Sequence, residues 1–167
     1  MKKLCALLLI CLLALCLLPV GAAADTEGDF EYTVSDGSAT VTKYNGSDAD
    51  VTIPGTLGGR PVTGIGTEAF ANCYYLESVT IPNGVTSIGA AAFEHCSSLT
   101  SVTIPNSVTS IGAGAFASCS GLTSVTIPNG VTSIGNAAFA HCSSLTSVTI
   151  PNSVTSIGDG TFAGCSS

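Results

Sequence analysis

From Ile81 to Thr103 the chain reads Ile-Pro-Asn-Gly-Val-Thr-Ser-Ile-Gly-Ala-Ala-Ala-Phe-Glu-His-Cys-Ser-Ser-Leu-Thr-Ser-Val-Thr, and this wording restarts at Ile104, Ile127 and Ile150, every 23 residues. A Phe column (Phe70, Phe93, Phe116, Phe139, Phe162) and a Cys column (Cys73, Cys96, Cys119, Cys142, Cys165) keep the same step. A constant period of this length dictates a stacked solenoid. One such coil cannot bury its apolar face alone, so each coil must cover the next. The repeat is also doubled. Asn83 to Gly121 and Asn129 to Ser167 align over 39 residues with six differences, so the duplicated unit is a 46-residue pair of coils.

The pattern inside one repeat sets the path of a coil. Leu99, Val102 and Ile104 follow L-x-x-V-x-I, which points Val102 and Ile104 inward and Ser101 and Thr103 outward along a short strand. Pro105 has no N–H and ends the ladder. Val108 to Ile111 supplies a second short inward pair. A glycine follows each such Ile (Gly66, Gly89, Gly112, Gly135, Gly158), as expected for a positive φ or a close backbone approach. The Ala-rich segment up to Cys119 brings Ala115 and Phe116 inward as one helical or 3-10 turn. The expected fold is a β-rich solenoid of 23-residue coils, with short parallel strands and that one turn.

Three segments are expected. Residues 1–24 carry a basic start, an apolar run from Leu4 to Val20 and a small-residue end at Ala22-Ala23-Ala24, the pattern of a secretory signal peptide. Residues 25–50 hold two alternating runs, Phe30 to Val34 and Ala39 to Tyr44, joined through Asp36-Gly37 as a β-hairpin. This hairpin caps the first coil. Residues 51–167 are the solenoid, with five extra residues in the first coil between Gly55 and Gly64. The chain stops at Ser167, before the strand the period calls for, so a fragment of a longer protein is expected.

The pattern I-P-x-x-V-T-S-I-G-x-x-A-F-x-x-C-x-x-L-T-S-V-T resembles the BspA-like, Treponema-type branch of bacterial leucine-rich repeats. The resemblance covers Val51 to Ser167, and the preceding E-Y-T-V-S-D-G-S-A-T-V-T-K-Y-N-G stretch is similar to the lead-in of that family. It implies a leucine-rich-repeat solenoid that is secreted or displayed at the cell surface. It also implies a role in adhesion to host proteins or other cells.

Charge and motif content narrow the function. All eleven acidic residues follow Ala24, against Lys43 and Arg60 alone, leaving a net charge of −9 after the leader. With no basic stripe, a nucleic-acid partner is excluded, and an anionic membrane surface is disfavoured. No membrane insertion is expected once the leader is cleaved. The five cysteines beyond the leader are odd in number and stack side by side, so buried thiols are expected in place of disulfides. His95 and His141 lie two coils apart, about 10 Å at a spacing of about 4.8 Å per coil, too far to share a metal. No metal or cofactor is expected. No nucleophile, zinc or phosphate-loop motif is present, and the carboxylates within the repeats (Glu68, Glu77, Glu94, Asp159) do not pair, so no enzymatic activity is expected.

What scales with the fold is a polar lattice. Ser78, Ser101, Ser124 and Ser147 form one column of the strand face, and Thr80, Thr103, Thr126 and Thr149 another. A second pair of columns runs through Thr86/Ser87, Thr109/Ser110, Thr132/Ser133 and Thr155/Ser156. The first pair is the candidate binding face, for a host or neighbouring-cell surface protein or glycan, through many modest contacts. A structural spacer is the alternative. An ice-binding Thr ladder is a remote one, which the curvature implied by the leucine-rich-repeat resemblance disfavours. End-to-end self-association at the open C-terminal coil is a further expectation.

Overall fold

The computed structural model describes residues 24–167. The expected signal peptide, 1–24, lies outside them apart from Ala24. The chain winds as a β-solenoid whose coils have three sides. It opens with β1 (Asp25–Glu27), β2 (Phe30–Ser35) and β3 (Ser38–Tyr44), an antiparallel meander. β4 (Asp50–Thr52) then starts the first side of the solenoid, and a small hairpin follows of β5 (Thr56–Leu57) and β6 (Arg60–Ile65). The five extra residues of the first coil form this hairpin, turning at Gly58 and Gly59, both at positive φ.

Each later coil contributes one three-residue and one two-residue strand. The first side carries β7 (Ser78–Thr80), β9 (Ser101–Thr103), β11 (Ser124–Thr126) and β13 (Ser147–Thr149). The second side carries β8 (Ser87–Ile88), β10 (Ser110–Ile111), β12 (Ser133–Ile134) and β14 (Ser156–Ile157). The second side is one unbroken parallel ladder, β6-β8-β10-β12-β14, and from β8 onward identical residues lie opposite one another, such as Ile111 and Ile134. β3 joins this ladder in parallel to β6, with Val41 opposite Ile65. The cap is therefore the first rung of the solenoid as well as its lid.

The third side corrects the expected helical or 3-10 turn. Among the described residues there is no helix; the segment is a run of turns. Two backbone corners per coil sit at positive φ, Ala91 (52°) and His95 (61°) in one coil and Ala137 (53°) and His141 (60°) two coils on. The cause lies between the coils. Alternate N–H groups donate forward to the next coil, Ala91 to Ala113 O (2.9 Å), Phe93 to Ala115 O (2.8 Å) and His95 to Ala117 O (2.9 Å). A helix would turn those donors inward on itself and leave the stack unbonded on this side.

The recurrent glycine after each inward Ile resolves to close approach. Gly89 and Gly112 have ordinary φ, but a Cβ on Gly112 would lie 2.6 Å from the Ala90 nitrogen and the Gly89 carbonyl carbon. Backbone fills the place of a side chain there.

The core is a set of columns. Phe93 and Phe116 stack at 5.1 Å and 5°, and Phe116 and Phe139 at 5.2 Å and 3°, all fully buried. The cap extends this stack, Tyr44 lying 5.3 Å from Phe70 and Phe30 lying 5.2 Å from Tyr44. Leu76, Leu99 and Leu122 and the Ile columns fill the remaining interior. At the last coil Ile150 and Ile157 are exposed and Phe162 is partly covered.

Candidate functional site: the strand face

The first side presents Ser and Thr outward because the inward positions of each strand are taken by Val and, just after the strand, Ile. Val79 and Val125 are buried, and Ile81, Ile104 and Ile127 follow them inward. Thr80, Ser101, Thr103, Ser124, Thr126, Ser147 and Thr149 are exposed and Ser78 is partly so. The structure thus brings all eight predicted residues to one face, in two columns in register wherever the strands pair.

Hydrogen bonding separates this face from the second pair of columns. Thr86, Thr109, Thr132 and Thr155 each donate a hydroxyl to the carbonyl one coil back, Thr109 to Thr86 O at 3.1 Å and Thr132 to Thr109 O at 3.3 Å. They are part of the ladder. On the strand face Ser78 donates to the Asp50 carboxylate. Among the described residues the other seven hydroxyls have no hydrogen-bond partner, so they face solvent with donor and acceptor both unengaged.

The face is not uniform. β4, β7 and β9 form one ladder and β11 and β13 another, with no strand pairing between β9 and β11. A shallow cleft of about 670 Å³ crosses this interruption, lined by Ser101, Thr103, Asn106, Ser124, Thr126 and Asn129, and continues over the paired β11–β13 step to Thr149 and Pro151. The sequence reading missed both the interruption and the two carboxamides. A signal was present: Gly121 stands where neighbouring coils carry Ser98 and Ser144.

The other sequence candidates settle elsewhere. Cys73, Cys96, Cys119 and Cys142 are buried free thiols and Cys165 is partly buried. Each of the last four donates back to a carbonyl of the preceding coil, as Cys119 does to Phe93 O at 3.1 Å. Burial, with the adjacent Cys165, pushes the Cys142 thiol up to about 12, and the neighbouring Cys96 thiol together with burial pushes Cys119 up as well. These thiols pack and bond and are poor nucleophiles. His95 and His141 are exposed at positive-φ corners of different coils, His95 beside Glu94 at 3.9 Å. Among the described residues no group of His, Cys, Asp and Glu is placed to hold a metal ion.

A family model of the BspA-type leucine-rich repeat region matches residues 51–167 in six copies. The chain belongs to the BspA-type leucine-rich repeat family. Solved structures agree. A leucine-rich repeat protein of T. pallidum superposes with a TM-score of 0.81 at 32% identity, covering 86% of this chain and 68% of that one. A leucine-rich cell surface protein of Faecalibacterium prausnitzii matches at 35% identity and TM-score 0.64, over 86% of this chain and 52% of its own. A leucine-rich repeat protein of Bacteroides ovatus matches at 32% and 0.65, over 84% and 45%. The chain thus spans about half the length of the last two. No curated protein matches the chain. Like its relatives, this BspA-type chain builds its surface from coils, and it varies that surface little from coil to coil.

Proposed function

We propose that this BspA-type protein is secreted or displayed at the cell surface and mediates adhesion or protein interaction through its strand face. The observation that carries the reading is the contrast between the two Thr columns. One column is bonded into the ladder, while the parallel column keeps its hydroxyls for an outside partner. The acidic, base-poor composition and the apolar leader favour an extracellular setting. A relative of the same fold is a cell surface protein. A host or neighbouring-cell protein or glycan would be held by many modest hydrogen bonds along a repetitive surface, not by one deep pocket. No catalytic role is assigned to the face, since hydroxyls without a base beside them are weak nucleophiles.

The test is binding of the purified protein to immobilised matrix proteins and cell-surface glycans. Thr103→Lys and Thr126→Lys place long charged side chains on the face without entering the core. The expected result is at least a tenfold loss of affinity, about 1.4 kcal/mol. Unchanged binding to every ligand detected would remove the face from the mechanism.

A further inference from the structure

The interruption between β9 and β11 is local. The same neighbouring coils are bonded on the second side through β10 and β12 and on the third through Phe116 to Ala138 O and Ser118 to Ala140 O. On the first side, Thr100 donates its N–H and its hydroxyl to Glu77 O, and Thr146 does the same to Thr123 O. Among the described residues Thr123 makes neither bond to the coil before it. Instead the Gly121 N–H donates to Ser97 O at 3.0 Å, an approach at which a Cβ on residue 121 would stand 2.8 Å from that oxygen. Ser98 and Ser144, the matching residues of neighbouring coils, carry that Cβ. Gly121 lets the chain settle onto Ser97, and the following strand leaves the ladder.

Two strand edges therefore face each other across a cleft with their main-chain donors and acceptors unpaired. We propose that this split is the seat for an extended, uncharged segment of a partner polypeptide, which enters as an added strand. Unpaired strand edges are matched by another backbone. The outer edges of β9 and β11 already pair in parallel with the Ser-Val-Thr strands β7 and β13. No charged side chain lines the cleft, and no aromatic ring lines it on which a sugar could stack, so the chemistry favours a polypeptide over a glycan. The strands stand ajar, with Cα pairs still within 8 Å. An inserted strand needs about 9.6 Å, twice the usual spacing. Entry widens the split while the other two sides hold the coils together. This inference rests on the strand face being the binding surface and places its strongest grip at one coil step.

The probe is a fluorophore-labelled, end-blocked Leu-Thr-Ser-Val-Thr-Ile peptide, the wording of residues 99–104, read by anisotropy and by hydrogen exchange on the purified protein. Saturable binding is expected, with slowed exchange at amides 101–104 and 123–127. A peptide with Pro in place of Val should not bind. Gly121→Ser restores the Cβ found in neighbouring coils and should weaken binding at least tenfold. Ser144→Gly should open a second split between β11 and β13 and raise the stoichiometry to two, which keeps the test decisive if Gly121→Ser folds poorly. Absence of peptide binding, or binding indifferent to both changes, overturns the proposal. Matrix or glycan binding abolished by Thr103→Lys but unmoved by Gly121→Ser, with no peptide bound, leaves the face standing and overturns the split. Gly121-dependent peptide binding without any matrix or glycan binding upholds the split and overturns the broader adhesive role.

Discussion

Phe116→Ala tests how the solenoid is held together. The ring is fully buried and stacks on Phe93 at 5.1 Å and on Phe139 at 5.2 Å, so truncation opens a cavity with a ring above and a ring below. A Phe→Ala change in a packed core costs about 3–5 kcal/mol, and two lost aromatic pairs at about 0.5–1.5 kcal/mol each place this site toward the upper end. Phe162 has one described ring neighbour, Phe139 at 5.8 Å, and is only partly buried. Its truncation should cost about 0.8–1.5 kcal/mol, roughly half the burial term of a full side chain. The ratio matters more than either value, because nearest-neighbour coupling makes a central coil hold two interfaces and a terminal coil one.

The assay is urea unfolding followed by circular dichroism. With a slope of about 1–3 kcal/mol per molar urea, Phe116→Ala should lower the midpoint by roughly 2 M, and Phe162→Ala by less than about 1 M. The central change should also broaden the transition, as the coils on either side lose their coupling. Equal losses at the two positions would refute the reasoning. So would a Phe93→Ala/Phe116→Ala pair whose effects add without an interaction of about 0.5–1.5 kcal/mol.

The glycine columns should separate by mechanism. Gly112→Ala sets a Cβ against backbone at 2.6 Å and should cost about 3 kcal/mol or more, whereas Gly114→Ala meets its nearest group at 3.9 Å and should cost about 1–2 kcal/mol of left-handed strain. Equal melting temperatures for the two would contradict this. Thr109→Val removes a hydroxyl that bonds Thr86 O and should cost about 0.5–1.5 kcal/mol, while Thr103→Val, on the unbonded column, should leave thermal stability unchanged. The buried thiols make stability depend on alkaline pH. With the folded Cys142 pushed up to about 12 and an unfolded thiol near 8.5, the native state binds more protons between those values. Stability is then fully present below about pH 8.5 and falls as pH rises toward about 12, by up to about 1.4 kcal/mol per pH unit for that thiol. Chemical unfolding at pH 7.5 and pH 10 under reducing conditions measures the slope, and Cys142→Ala should flatten it.

Much of the architecture was legible because a period is a global statement. A fixed step of 23 residues places every Phe over a Phe and every Ile over an Ile, and the stacked rings and ladders follow from that one constraint. The turn side was misread for a physical reason. Ala90-Ala91-Ala92-Phe93-Glu94 has high intrinsic helix propensity, and local propensity yields when a neighbouring coil offers an acceptor to every second N–H. The corrective signal lay in the variable letters. Gly114 and Gly160 occupy the corner that Ala91 and Ala137 occupy elsewhere, and Gly164 occupies that of His95 and His141, all at positive φ.

The candidate face divides the same way. Its two Ser and Thr columns follow from strand alternation, whereas which Thr column is bonded into the ladder depends on how each side chain meets the carbonyl one coil back, and a repeat in which both columns read Thr cannot show it. The split is the opposite case, a departure from the repeat at one residue. In a chain whose coils are nearly copies, a fixed letter reports what every coil needs in order to stack. A letter that changes in one coil reports what that coil does differently, and Gly121, in the turn that leads into β11, is such a letter. If the split binds a strand, Gly121→Ser, which restores the period, should weaken peptide binding at least tenfold while raising stability, whereas core substitutions lower stability. Urea midpoints and peptide affinity measured on the same Gly121→Ser sample decide it: both rising together would show that the departure is only a packing variant.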